Sequence, residues 1–439
     1  MARIAVIGSG ISGLSVAWHL AGRAQVTLFE AADYFGGHTH TVDVAVDTPA
    51  GRMRHGVDTG FLVYNERTYP RLIELFGQLQ VPTAATDMSF SVKVPDLDLE
   101  WSGSSLATVF AQRRNLVRPG FWRMLAQIVR FNTLCTGVAE RNAEAELQQP
   151  IGDFLAEHRF GREFRDWYFL PMIGCIWSCP TDQMLRFPIA TMIRFCHNHG
   201  LLQVANRPRW YTVAGGARQY VERMLPKVPD ARLNTPVRQV RRVTQRGAEA
   251  MGVLISTDQG TEHFDEVVFA CHSDQSLALL GADASAEERH LLGAIRYHRN
   301  RAVLHTDASV LPTRRAAWAA WNYERASDDS RERASVCLHY LINKLQPLPF
   351  ETPVVVSLNP VREPRAGTVQ GDFDYAHPVF DQAAVQAQQA LPALQGRSRT
   401  WYCGAWTRYG FHEDGLMSGL AVVEALKPRL AAATQREAA

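Results

Sequence analysis

Apolar and polar positions alternate with two different periods along this chain. Arg3 to Ile7 is a short apolar, partly β-branched run, Ile11 to Leu20 begins a stripe through Leu14, Ala17 and Ala21, and Gln25 to Phe29 is apolar again. This order predicts strand, turn, helix and strand, a βαβ unit. Between Asp43 and Val63 the polarity alternates as in a sheet, with Gly and Asp punctuation, and Thr68 to Leu79 has amphipathic helical spacing. From Ser105 to about Phe195, Trp, Phe, Arg and Met recur at helical spacing, which predicts a mainly helical insertion. Short strands return between Leu201 and Val268: Gly215-Gly216 opens a helix to about Leu225, and Val237 to Val243, Gly252 to Thr257 and Phe264 to Ala270 are strands. Further strands are predicted at Arg301 to His305 and Ser335 to Asn343, around a polar loop at Ser327 to Arg333. A helix after Asp381, a strand at Arg399 to Cys403 and a helix from Leu416 to Leu426 complete the pattern. The Ala-rich, charged residues beyond Pro428 are expected to fray.

At 439 residues the chain is long enough for two or three domains, and 46% hydrophobic with 21% charged residues is a globular composition. The formal net charge is +2, from 46 basic and 44 acidic residues, so no global field draws nucleic acid, and no nucleic-acid role is expected. Seven cysteines form no disulfide framework. The pair Cys175 and Cys179 lacks a second pair at zinc-finger spacing and is assigned to packing, so no metal site is expected. A reducing compartment follows. The first apolar run is too short for a signal-peptide core, and no run approaches a membrane span, so a cytoplasmic location is expected, with peripheral contact at the inner face of the membrane left open.

Gly8-Ser9-Gly10-Ile11-Ser12-Gly13 follows the first strand and opens the first helix, and Glu30 stands 20 residues after Gly10 at the end of the second strand. The first glycine allows a tight turn, the second lets backbone N–H groups approach a pyrophosphate, and the third lets helix and strand pack closely. The helix N-terminus adds partial positive charge, and Glu30 is placed to accept hydrogen bonds from ribose hydroxyls.

Beyond Glu30-Ala31 the chain runs into the paired glycines Gly36-Gly37-His38-Thr39, and here it resembles the flavin-containing amine oxidase and carotenoid desaturase superfamily. That family has an arginine after the glycine pair, where this chain has His38. Asp58-Thr59-Gly60-Phe61 resembles the family's turn near the flavin ring, and Val213-Ala-Gly215-Gly216 its glycine pair bordering the substrate domain. Pro236-Val237 and Asp265 to Cys271 resemble the strands on the adenine side. The strongest match is Trp401 to Ala421, which contains Gly404, Trp406, Gly410, His412, Gly415, Leu416, Met417 and Ser418. In the family, this stretch brings a helix N-terminus to the flavin pyrimidine edge, where N–H groups and the helix dipole stabilise reduced flavin. The resemblance implies FAD as cofactor and an α/β fold: a Rossmann-type FAD-binding domain of amine-oxidase type, interleaved with an α+β substrate domain. The expected division is 1–104, 201–295 and 396–430 for FAD, 105–200 and 296–395 for substrate, and 431–439 as a flexible tail.

The runs Gly36 to Val42, Asp58 to Pro70 and Gly410 to Gly415 resemble, more narrowly, a bacterial branch of FAD-binding proteins associated with cyclopropane-fatty-acid synthase-like methyltransferases. This branch implies a lipid acyl substrate and a methyltransferase partner. The leading expectation is an FAD-dependent oxidoreductase that moves hydride between an unsaturated or methylated fatty acyl chain and flavin N5, as desaturase, dehydrogenase or saturase. An oxygen-using amine oxidase is the alternative, and a non-catalytic flavoprotein partner of a lipid methyltransferase the alternative of another class. His412, Tyr64 and Trp406 are the candidate catalytic residues. His38 and His40 are further candidates for a flavin contact, a polar loop role being preferred for His40. An apolar tunnel is expected from Trp122, Phe131, Phe169, Met172, Ile176 and Trp177. Arg113, Arg114, Arg118, Arg123 and Arg130 surround Phe121, Trp122 and Leu125, the composition of a segment that sits on anionic lipid, although a solvated face is the commoner outcome.

Overall fold

The computed structural model describes residues 1–49, 51–143, 147, 149–203, 207–243, 251–326 and 335–438. The βαβ unit forms as the periodicity predicts: β1 (Arg3–Ile7), α1 (Ile11–Leu20) and β2 (Gln25–Phe29). β1 lies third in a five-stranded parallel sheet, in the order Asp230–Arg232, β2, β1, Glu266–Phe269, Thr400–Tyr402. A parallel sheet is covered on both faces, which is why these strands are apolar runs and do not alternate. One face packs on α1 and the C-terminal helix (His412–Ala438), the other on an antiparallel meander (Val237–Val243, Gly252–Thr257, Gly260–Phe264) and helix Ala286–Gly293. Between sheet and meander, Arg242 pairs with Glu288 at 2.6 Å, and the Tyr402 hydroxyl donates to the same carboxylate at 2.6 Å.

The second unit is a seven-stranded mixed sheet, in the order Val369–Val379, Arg296–His305, Val355–Leu358, Cys337–Leu341, Trp321–Glu324, Phe90–Val94, Leu99–Ser102. Against it lie the helices of the insertion, chiefly Pro119–Glu140, Leu170–Trp177 and Ile189–Asn198, with Phe121, Phe131, Phe164 and Phe169 in one continuous core. Residues 90–102, which the sequence assigns to the FAD domain, pair in this sheet: Phe90–Val94 runs parallel to Trp321–Glu324, so the partner that fixes its place lies over 220 positions away. Helix Gln382–Ala390, assigned to the substrate domain, buries Ala384 and Ala387 in the core between the five-stranded sheet and the meander. The tail expected to fray continues as helix to Ala438, Ala, Leu and Glu being strong helix formers. The polar loop expected at Ser327 to Arg333 lies outside the described residues.

Both ends of the chain meet on α1. A Cβ on Gly415 would sit 2.9 Å from Ile11 Cγ2, and one on Gly419 would sit 2.4 Å from Ser15 Oγ and 2.6 Å from the Ser12 carbonyl oxygen. Only glycine permits so close an approach of two helices.

Candidate functional site

The turn after β1 is shaped by its glycines in three different ways. Gly8 has φ +101°, and a Cβ there would meet the Ala270 carbonyl oxygen at 3.0 Å; a Cβ on Gly13 would strike the Gly8 carbonyl oxygen at 1.9 Å. At Gly10, in contrast, the backbone is extended (φ −61°, ψ 176°) and a Cβ would meet nothing within 4 Å. The N-cap of α1 is Gly10, which has no side chain to cap the first-turn amides, and Gly10, Ile11 and Ser12 line a cavity. An open cradle of this kind at a helix N-terminus fits a pyrophosphate. Glu30 accepts from the Ser9 amide (2.9 Å) and hydroxyl (2.5 Å) and from the Ala32 amide (2.9 Å), which fixes its carboxylate beside the turn.

This turn forms one end of a cavity of about 730 Å³. Ile7 to Ser12, Phe29 to Ala31, Gly36 to His38, Thr59 to Phe61, Thr235 to Val237 and Ala270 to His272 line it. So do Gly404, Ala405, Trp406 and Tyr409 to His412. Gly36 and Gly37 take φ of +125° and +59°, and Gly37 packs so close to Gly10 that a Cβ would lie 3.1 Å from its Cα. The chain ends, far apart in sequence, therefore enclose one space.

A cluster of histidines, His38, His272 and His377, lines the same cavity. The His38 ring lies 5.3 Å from His377, 6.4 Å from His272 and 5.2 Å from Tyr375, centroid to centroid. Burial, with mutual repulsion, pushes His38 and His272 down to about 4 and His377 to about 3, so all three are neutral near pH 7. Asn300 Nδ2 donates to His377 Nδ1 at 2.8 Å, which leaves the His377 proton on Nε2. His38 Nε2 is buried without a hydrogen-bond partner, a polar group that a ligand would satisfy. His412, also neutral because burial pushes it to about 3, stacks on Phe61 at 3.8 Å, and its Nε2 lies 2.8 Å from Thr39 Oγ1. It begins the C-terminal helix, where the dipole further disfavours a cation. Its neighbour Glu413 turns away and caps helix Pro70–Gln78 through the Arg71 and Leu72 amides, each at 2.9 Å.

Several expected site residues stand elsewhere. Gly415 to Ser418 do not line the cavity: the helix starts at His412, the Gly415 amide bonds to the Phe411 carbonyl, and Ser418 Oγ holds the Gly404 amide at 2.9 Å. The first-turn amides nearest the cavity are one turn earlier, from His412 on. Tyr64 is buried among Tyr69, Phe76 and Tyr211 and does not reach the cavity. Trp406 lines the cavity but commits its indole N–H to the Cys271 carbonyl at 3.1 Å. Asp58 lies behind the wall, where it accepts from the Thr41 hydroxyl, the Ala217 amide (2.9 Å) and Gln346 Nε2 (2.9 Å), and burial raises it to about 7. Thr39 and Gly13 are likewise supports. His40 has the polar role, 3.0 Å from the Tyr375 hydroxyl.

The cavity includes a chamber lined by Phe90, Met172, Ile176, Trp177, Phe195, His199, Trp210, Trp321, Tyr409 and Phe411, in which the Phe195 ring contacts Trp177, His199, Tyr409 and Phe411. Met172, Ile176 and Trp177 are on the expected tunnel list. Phe131 and Phe169 are instead core, and Trp122 is on the outer surface. Glu30 is the one Asp, Glu, Lys or Arg among all the cavity's described lining residues, and its carboxylate is held by the Ser9 and Ala32 amides. The sequence reading passes over Tyr375 and His377 because Val369–Val379 is not recognised as a strand; the alternation of Phe373, Tyr375, His377 and Val379 is the signal that places them on one face.

A second polar cluster, Glu324, Cys337 and His339, lies within the seven-stranded sheet with its ligand-type atoms within 4.8 Å of one another. Lys93 Nζ already sits 2.9 Å from Glu324, supplying the cation that this carboxylate pairs with.

Residues 11–319 match the family of flavin containing amine oxidoreductases. Among solved structures, a CLA-producing fatty acid isomerase from P. acnes superposes with a TM-score of 0.64 at 15% identity, covering 97% of this chain and 98% of that one. Cyclohexylamine oxidase from Brevibacterium oxydans IH-35A gives 0.62 at 15% identity, covering 97% and 99%. At these identities the likeness is one of fold. No curated protein matches the chain by sequence.

Proposed function

The chain belongs to the flavin-containing amine oxidoreductase family and is an FAD-dependent oxidoreductase, and from that premise we propose that its substrate is a neutral, apolar, lipid-like molecule, an unsaturated or methylated fatty acyl chain. The observation that carries this reading is the chamber: aromatic and aliphatic walls with no formal charge. A long acyl chain loses water on entering such a space, at a gain of about 0.8 kcal/mol for each buried CH₂. A carboxylate or ammonium would be stranded there without a counter-charge.

In this reading Gly8 to Ser12 hold the cofactor's pyrophosphate, Glu30 its ribose, and the wall from Gly404 to His412 its ring system. When bound, FAD supplies a two-electron acceptor for hydride. The chain's own residues bind, orient and exclude water. His38 and His412 offer neutral ring nitrogens at the cavity wall, able to hold a hydrogen bond without adding charge.

Anaerobic titration of the yellow holoprotein with phospholipids bearing unsaturated or methylated acyl chains tests this. Bleaching of the flavin absorbance by at least one of them is expected; a flavin indifferent to all of them refutes the acyl reading. The rings of Trp177, Phe195, Tyr409 and Phe411 around the chamber favour a second reading, oxidation of a neutral monoamine by oxygen. Peroxide release from an amine panel, with no response to lipid, selects it.

A further inference from the structure

We propose that the face formed by residues 97–130 docks on the surface of a membrane rich in anionic phospholipid. The argument rests on the outside of the molecule and does not depend on which substrate enters the chamber.

Six of the exposed large apolar side chains lie in this one segment: Leu97, Leu106, Leu116, Val117, Trp122 and Val129. Leu106 is 81% and Val117 80% exposed, more than Met1 at the chain start. They form one patch. The Trp122 indole donates to the Leu116 carbonyl at 2.9 Å and its ring lies 5.4 Å from Phe110, while Arg118 bonds the Leu97 carbonyl at 2.9 Å. Val129 follows Trp122 by seven residues, two turns along the same face of helix Pro119–Glu140. A soluble surface rarely gathers apolar tips in this way without something to cover them.

The charge around the patch selects the cover. From Trp101 to Ala139 the sequence holds five arginines, Arg113, Arg114, Arg118, Arg123 and Arg130, and no Asp, Glu or Lys, in a chain whose basic and acidic residues otherwise nearly balance. Two of the five have acidic partners, Arg114 with the exposed Asp98 of the same face at 3.4 Å and Arg123 with Glu163. Such exposed pairs are weak and readily exchanged. Guanidinium groups around protruding Leu, Val and Trp match a phosphate layer above hydrocarbon: phosphates accept from the arginines, and the indole sits at the boundary. A protein partner would need a complementary acidic and apolar face, and a second copy would bring arginine against arginine.

The patch also communicates with the chamber. Phe90, a chamber wall residue, lies 6.0 Å from Trp101, Trp101 lies 6.1 Å from Phe121, Phe121 lies 5.8 Å from Phe110, and Phe110 meets Trp122. A chain of packed rings thus links the cavity lining to the outer surface.

The test is sedimentation of the holoprotein with phosphatidylglycerol/phosphatidylcholine vesicles, with pure phosphatidylcholine vesicles, and with the anionic vesicles in high salt. Binding to the anionic vesicles is expected, weakened at least tenfold by salt and by omission of the anionic lipid. Val117→Asp with Leu106→Asp, and separately Arg113→Glu with Arg114→Glu, should each lower binding about tenfold or more while leaving the flavin content and melting temperature unchanged; these are surface side chains. Failure of the wild type to bind anionic vesicles overturns the proposal. So does equal binding by the variants, or light scattering that shows a dimer dispersed by Val117→Asp, which would make a second copy the cover.

Discussion

Gly10→Ala separates folding from cofactor binding more cleanly than any other change in this protein. At this position φ is −61° and ψ 176°, which alanine adopts without strain, and a methyl group meets no protein atom within 4 Å. The apoprotein should therefore be as stable as the wild type or gain about 0.4–1 kcal/mol, because alanine restricts the unfolded chain. The methyl group projects into the space where the pyrophosphate fits, and holds it off the α1 amides. Loss of one charge-assisted hydrogen bond costs about 1.5–3 kcal/mol, a weakening of FAD binding by roughly 10- to 150-fold. Melting of the apoprotein gives the first quantity, and titration with FAD followed by flavin fluorescence gives the second. Gly13→Ala is the control: its Cβ would lie 1.9 Å from the Gly8 carbonyl oxygen, so the fold itself should suffer. A Gly10→Ala protein that binds FAD like the wild type, or that melts well below it, refutes the placement of the phosphates.

Four further outcomes are expected. Arg242→Met leaves the buried Glu288 carboxylate without its counter-ion and should cost about 3 kcal/mol in urea unfolding. Burial works to raise Glu288, but Arg242, Tyr402 and the Ser285 amide hold it down at about 2; the folded value is depressed, so the stability it contributes is present above the unfolded value near 4.3 and lost as pH falls toward 2, a loss that Glu288→Gln should flatten. His377 sits at about 3 when folded against about 6.5 unfolded, so stability is full above roughly pH 6.5 and falls as acid favours the chain that can take up the proton; His377→Gln should reduce that slope in melts recorded from pH 7 to 4. Ile176→Trp narrows the chamber without touching the phosphate turn, so flavin content should persist while the response to acyl substrate is lost; retained response would mean that substrate takes another route.

The parts of the molecule that the sequence reveals are those whose cause is local. The strand, glycine turn, helix and ribose acid occupy one stretch, and each residue type follows from its neighbours' needs, so the turn at Gly8 and its partner at Glu30 fall where expected. Parts fixed by distant partners were hidden. Phe90–Val94 owes its sheet to Trp321–Glu324. Tyr64, beside a motif in sequence, faces Phe76 and Tyr211 because its short strand pairs with Trp210–Val213. Trp122 and Phe131 share one helix nine residues apart, and only the packing of that helix puts the first outside and the second within the core. The last helix begins a turn before Gly415, because the glycine serves close packing on α1 and does not end the cavity wall.

The clasp of Gly415 and Gly419 on α1 makes the cofactor space a joint product of two distant stretches. The phosphate turn lies at residues 8–13, yet the wall that closes the space beside it comes from residues 404–412, far along the same chain. A polypeptide cut between the two stretches would keep the turn and lose the wall, so neither stretch encloses the vitamin-derived coenzyme without the other.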